Sequence, residues 1–148
     1  MRSTVKLIFC STLLLTYWVA MIIALNWPHL DLQANEHHWP GGKDKWIHGL
    51  SMLGLCFLAQ TTTAVYQGHR KFKGKSRLPL GWLWMLMAVV IYGGSSELMQ
   101  YYVPGRVVSG YDLMANMIGV SGGFILWFML LSILRYPRPA RSLGPDAT

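Results

Sequence analysis

Four long apolar segments constrain the fold of this chain more than any other feature. A helix rises about 1.5 Å per residue, so about 20 apolar residues are needed to cross a hydrocarbon core of about 30 Å. Each segment meets that requirement, and only short connections remain between them. The segments are residues 5–25, 46–66, 81–102 and 112–134.

The composition agrees with a membrane protein, since 53% of the residues are hydrophobic and 13% are charged, against roughly 25% charged in soluble domains. We predict an all-α membrane protein whose four transmembrane helices form one compact bundle. This single domain covers residues 1–148 and ends in a basic tail over residues 135–148. The first segment is interpreted as a membrane helix because its apolar run exceeds the 7–15 residues usual in a cleaved secretory signal.

The basic residues predict the orientation. Ten of the thirteen Lys and Arg residues lie near the N-terminus, between the second and third segments, or after the fourth. Successive crossings put these three regions on one side, which the positive-inside rule makes cytoplasmic together with both termini. The same rule explains the net charge of +7, so we predict no nucleic-acid partner.

Polar residues concentrate at the opposite, outer boundary. Glu97 lies about 24 Å along the third segment from Gly81, while Asp112 begins the fourth segment at that level. Charged groups at the membrane centre cost about 2.5–3.5 kcal/mol each, so they persist mainly where they pair or function. We therefore predict one ligand-binding site there. Its residues are Asp44, Lys45, His48, Glu97, Gln100, Arg106, Asp112 and Asn116.

Helix spacing predicts which side chains of the third and fourth segments face the ligand-binding site. Glu97 and Gln100 are three residues apart, and Asp112 and Asn116 are four apart, so each pair shares a helix face. The connecting "VPGR" suits a type II turn that places Arg106 above two antiparallel neighbours. Two carboxylates and a guanidinium can then form either a ligand site or a set of structural ion pairs that holds the helices together.

The second segment begins with Asp44, which can cap its helix or orient His48 four residues later. Lys45 can anchor the helix at the interface or contact a ligand. Deeper in the fourth segment, Gly119 and Gly123 form a small-xxx-small pair that permits close helix packing, within the bundle or in an oligomer.

Two motifs carry a family resemblance: "DKWIH" at residues 44–48 and "ELMQYYVPGRVVSGYDLMANMIGVSGG" at residues 97–123. On these motifs the chain resembles the VanZ-like family of small bacterial integral membrane proteins. The resemblance covers the second to fourth segments. It implies a multi-pass protein of the bacterial inner (plasma) membrane, a role in the cell envelope, and a link to antibiotic resistance of the teicoplanin type.

Our preferred hypothesis is that the site binds the head group of an anionic lipid or a lipid-linked envelope precursor. Arg106 and Lys45 would contact phosphate, and Glu97 and Asp112 would orient them. A membrane enzyme acting on such a lipid and a non-enzymatic envelope scaffold are the alternatives.

The catalytic candidates of the enzymatic alternative are His48, Glu97 and Asp112. The sequence has no HExxH, G-x-S-x-G or P-loop motif, so no particular reaction is indicated. We predict no metal and no cofactor, because the spacing of further histidines in the first outer connection fixes no ligand geometry. These histidines are His29, His37 and His38.

Overall fold

The computed structural model describes residues 2–26, 42–72, 80–102 and 109–135, and the regular structure in those ranges is entirely helical. Each helix contains a stretch long and apolar enough to cross a membrane, so the predicted set of four membrane helices is confirmed. The helices are α1 (Arg2–Asn26), α2 (Gly42–Phe72), α3 (Gly81–Gln100) and α4 (Gly110–Arg135).

Helix α2 continues past its predicted end at residue 66 to Phe72. Its last turn carries His69, Arg70 and Lys71, and cations stabilise the C-terminal end of a helix dipole. With 31 residues, α2 is about 46 Å long, which matches the 40–45 Å of a bilayer including its head groups. Helix α2 is therefore long enough to extend from one head-group region to the other.

Helix α3 ends at Gln100, before its predicted end at residue 102. Tyr101 and Tyr102 form a turn instead, and their N–H groups donate to the carbonyl oxygens three residues earlier, at 3.3 and 3.1 Å. A proline disfavours helical geometry in the residue before it, and Pro104 follows two residues later in the sequence. The predicted type II turn lies outside the described residues.

Helix α2 contacts all three other helices. Gly49 and Leu53 of α2 lie against Gly119 and Gly123 of α4, so these two helices run in the same direction. A Cβ atom at Gly119 would overlap the carbonyl oxygen of Gly49. The small-residue pair of α4 therefore serves packing within the chain, while oligomerisation through the same glycines stays a prediction.

Helix α1 runs antiparallel to α2. Ser3 near the start of α1 is 3.3 Å from the Nδ1 atom of His69 near the end of α2. Further along, the Tyr17 hydroxyl donates to the carbonyl oxygen of Ser51 at 3.0 Å. The buried core between the helices is apolar, and it consists of Met21, Leu25, Met52, Leu55, Cys56, Ala59, Val89 and Val120.

The outward faces are also apolar. Ile8, Ile91, Ile118 and Ile133 on α1, α3 and α4 each expose more than 60% of their surface. Water would oppose such extensive exposure of hydrocarbon, whereas lipid chains accommodate it. The arrangement is that of helices solvated by a membrane, with most buried polar groups collected in one place.

Candidate functional site

Polar side chains of α2, α3 and α4 meet where α2 and α4 begin and α3 ends. His48 and Asn116 are fully buried, and Glu97 and Asp112 are 3% and 2% exposed. We call this group the polar cluster. It comprises Lys45 and His48 on α2, Ser96, Glu97 and Gln100 on α3, and Asp112 and Asn116 on α4, and only Lys45 among them is not buried.

Asn116 connects the three helices of the polar cluster. Its Nδ2 atom donates to Glu97 Oε1 at 3.0 Å and to the Gly93 carbonyl oxygen at 3.1 Å. The same nitrogen is 3.4 Å from the hydroxyl oxygen of Ser96. Because the carboxylate and carbonyl oxygens can only accept, the amide nitrogen must face α3. The amide oxygen of Asn116 therefore faces α2.

This orientation determines the tautomer of His48. Its Nδ1 atom is 3.2 Å from Asn116 Oδ1 and 3.3 Å from Glu97 Oε1. Both neighbours accept hydrogen bonds, so Nδ1 carries the hydrogen and Nε2 is the basic nitrogen of the neutral ring.

A second ion pair lies at the edge of the polar cluster. Lys45 Nζ is 3.7 Å from Asp112 Oδ1, and the two side chains are 27% and 3% exposed. Asp112 is in the first turn of α4, where the partial positive charge of the helix N-terminus favours a carboxylate. Lys45 thus has its ammonium held by a buried anion while part of the side chain stays accessible.

The predicted grouping of Glu97 and Asp112 with Arg106 stays a prediction, because Arg106 lies outside the described residues. Within the described part of the chain, Glu97 contacts His48 and Asp112 contacts Lys45. Both of these contacts reach α2, the helix that packs against both α3 and α4.

Two further predictions concern residues of the first connection and the start of α2. Asp44 was predicted either to cap α2 or to orient His48; its side chain lies outside the described part, so this stays a prediction. In the described part, Nδ1 of His48 contacts α3 and α4. His29, His37 and His38 also lie outside that part. Within the described ranges, no group of three His, Cys, Asp or Glu side chains could hold a metal ion.

Sequence reasoning missed the role of Ser96. This buried hydroxyl donates to the Gly93 carbonyl oxygen at 2.9 Å and lies beside Asn116. The three-residue spacing of Gly93 and Ser96 is the sequence signal for this hydrogen bond, because serine in a helix often bonds back to a carbonyl one turn earlier.

Gln100 was predicted as a site residue. It is buried, and its Nε2 has no hydrogen-bond partner among the described residues.

Comparison of the chain with protein-family models, curated proteins and solved structures finds no match. The chemistry of the polar cluster is therefore interpreted from its own geometry. Lys45 offers a partly accessible cation, and His48 offers an oriented imidazole whose basic nitrogen is Nε2. The partly accessible ammonium of Lys45 can attract an anionic group, whereas the imidazole of His48 is fully buried.

Proposed function

We propose that the polar cluster binds the head group of an anionic lipid or a lipid-linked envelope precursor at the outer face of a bacterial inner membrane. The supporting observation is that His48, Glu97 and Asp112 converge from three otherwise apolar helices and are all buried. Side-chain hydrogen bonds in membranes contribute only about 0.6 kcal/mol on average. Burying three ionisable groups is therefore a poor route to stability alone, and a ligand site accounts for them better.

Phosphate recognition in this proposal depends on two cations. Among the described residues of the polar cluster, Lys45 pairs with Asp112, and Glu97 contacts His48. Arg106 lies between those carboxylates in the sequence, and it would supply the second positive charge and a planar fork for two phosphate oxygens. The carboxylates would hold the cations and accept hydrogen bonds from head-group hydroxyls.

The resemblance to the VanZ-like family supports the envelope part of this proposal, including the link to tolerance of teicoplanin-type glycopeptides. A lipid-linked precursor of the envelope carries a phosphate at the membrane surface, so it would suit a cationic site at that level. The scaffold alternative gains no support from Gly119 and Gly123, since α2 already packs against both.

We expect both termini to be cytoplasmic and Arg106 to be external, because the three inner regions hold ten of the thirteen basic residues. Single cysteines at positions 106 and 75, in a background with Cys10 and Cys56 replaced, can be treated with an impermeant maleimide in intact cells. Position 106 should react, and position 75 should react only after permeabilisation. The opposite pattern would place the polar cluster in the cytoplasmic leaflet.

Arg106→Lys tests the phosphate contact. The substitution keeps the charge but removes the planar fork, so we expect a loss of at least about tenfold in anionic lipid retained after purification, which corresponds to about 1.4 kcal/mol. The melting temperature should change little. Mass spectrometry of retained lipids measures the first quantity and tryptophan fluorescence in detergent measures the second. Arg138→Lys, in the basic tail, is the matched control.

Retention at the wild-type level in Arg106→Lys would contradict the phosphate contact. If the ion pairs of the polar cluster served only to hold the helices together, replacing them by well-packed apolar residues would leave function intact.

The geometry of His48 favours a second candidate, an enzyme acting on the same lipid. With Nδ1 held by Glu97 and Asn116, Nε2 could remove a proton from water or a lipid hydroxyl. Purified wild-type protein and His48→Gln can each be incubated with a bacterial lipid extract and the lipids analysed by mass spectrometry. New products from the wild type alone would support the enzyme, and identical spectra would support binding without reaction.

A further inference from the structure

A groove follows the interface of α2 and α3 toward the end of α2. It contains two cavities of about 350 and 360 Å³. Met85 and Ala88 of α3 line both cavities, so the two adjoin. On α2 the lining begins at Leu55 in the first cavity and ends at Gln67 in the second. We call the combined space the α2–α3 groove.

The lining of the α2–α3 groove changes from apolar to polar along its length. The first cavity is bounded mainly by aliphatic side chains such as Leu55 and Val89. Helix α1 forms one of its walls with Ser11, Leu14, Leu15 and Trp18. The second adds Thr63, Tyr66 and Gln67. This order matches a phospholipid read from the end of an acyl chain to the glycerol ester region.

Cations follow immediately beyond the polar part of the groove. Arg70 has its Nη1 atom 3.5 Å from the Tyr66 hydroxyl and its guanidinium carbon 5.9 Å from the centre of that ring. The Nε atom of Arg70 is buried and has no hydrogen-bond partner among the described residues. Lys71 is exposed beside it. The first turns of α1 and α3 contain no acidic residue, so this end of the described structure is electropositive.

The length of the α2–α3 groove fits one leaflet. Leu55 and Gln67 are twelve positions apart in the sequence, which corresponds to about 18 Å along a helix. Half of a hydrocarbon core is about 15 Å. Arg70 at head-group level and Leu55 are about 22 Å apart along the helix, and half of a bilayer including its head groups is about 20–22 Å. An acyl chain that begins beside Arg70 and fills the groove would therefore end near the middle of the membrane.

We propose that the α2–α3 groove binds one anionic phospholipid, with an acyl chain across Met85 and Ala88 and the phosphate against Arg70 and Lys71. The basic end of α2 lies about 30 Å or more from His48 along the helix. This site is therefore distinct from the polar cluster, and its existence does not depend on the function proposed for that cluster.

Head-group recognition can be tested by native mass spectrometry in detergent. Phosphatidylglycerol and phosphatidylcholine with identical acyl chains are titrated against the full chain. We expect phosphatidylglycerol to be retained preferentially, and each of Arg70→Gln and Lys71→Gln to weaken its retention about fivefold, or about thirtyfold together. Lys6→Gln, which removes an exposed charge near the start of α1, should have little effect. Equal retention of the two lipids by the wild type, or an equal loss in Lys6→Gln, would overturn the proposal.

The position of the acyl chain needs a separate variant. Ala88→Phe places a ring where the two cavities adjoin and should reduce phosphatidylglycerol retention at least about tenfold by excluding the chain. Ile91→Phe adds similar bulk on α3 at an outward position that is 64% exposed, and it should retain the lipid. Circular dichroism establishes that both variants keep their helices. If the Ala88→Phe variant retained phosphatidylglycerol as well as the wild type does, the acyl chain would not bind in the groove and the proposed site would be refuted.

Discussion

Gly119→Ala is expected to cause a large loss of stability. The new Cβ atom would overlap the backbone carbonyl oxygen of Gly49, and a backbone atom cannot turn aside as a side chain can. Overpacking costs typically about 1–3 kcal/mol and occasionally more. We expect the cost of Gly119→Ala to lie at the upper end of this range, because the whole of α4 must move away from α2 to relieve the overlap. The yield of monodisperse protein and its melting temperature in detergent measure the effect.

Gly94→Ala is the matched control for this experiment. A Cβ atom at Gly94 meets nothing within 4 Å, and alanine is favoured over glycine in a helix by about 1 kcal/mol. We expect this variant to melt at or above the wild-type temperature. Equal melting of the Gly94→Ala and Gly119→Ala variants would contradict the close contact between α2 and α4.

Asn116→Asp is the second large-effect prediction. The change keeps the size of the side chain but replaces the Nδ2 donor, which lies 3.0 Å from Glu97 Oε1, by an oxygen. Two carboxylates in contact cannot both ionise without strong repulsion. The carbonyl oxygen of Gly93 also loses the Asn116 donor, although it keeps the hydrogen bond from the Ser96 hydroxyl. We expect a marked drop in melting temperature at neutral pH and loss of lipid retention.

Acidic buffer provides an internal check on Asn116→Asp. A proton shared between the two carboxyl groups would remove the repulsion, so part of the lost stability should return as the pH falls. Gln67→Glu makes the same amide-to-acid change near Arg70 and Lys71, where a negative charge finds cations, and its melting temperature should change little. An Asn116→Asp variant that melts like the wild type at neutral pH would exclude the contact between Asn116 and Glu97.

The four helices could be predicted from sequence because the length of an apolar run reports directly on its ability to cross a membrane. Helix ends were less predictable, for reasons that α2 illustrates. Its apolar pattern stops near residue 66, but the chain stays helical to Phe72. Charged residues are good helix formers, and outside the hydrocarbon core a helix needs no apolar face.

The meeting of these polar residues at one end of the helices was also predictable, because each residue's level follows from its distance along a helix. Their partners on α2 were less predictable, since they depend on how each helix is rotated and which helices touch. The short connection favoured a pairing of Glu97 with Asp112 through Arg106, which lies outside the described residues, and the described structure adds contacts of Glu97 with His48 and of Asp112 with Lys45. The contact of α2 with both α3 and α4 decides this, and no local pattern encodes it.

Lipid retained at the polar cluster is the most direct measure of the proposed function. The experiment uses Arg70→Gln/Lys71→Gln protein, so that lipid held at the basic end of α2 does not contribute, and identifies the retained lipids by mass spectrometry. A head-group site predicts about one anionic lipid or lipid-linked precursor per chain, enriched over its share of the membrane and lost when Lys45→Met and Arg106→Lys are added. Lipids retained only in the proportions of the membrane, and unchanged by those two substitutions, would contradict it.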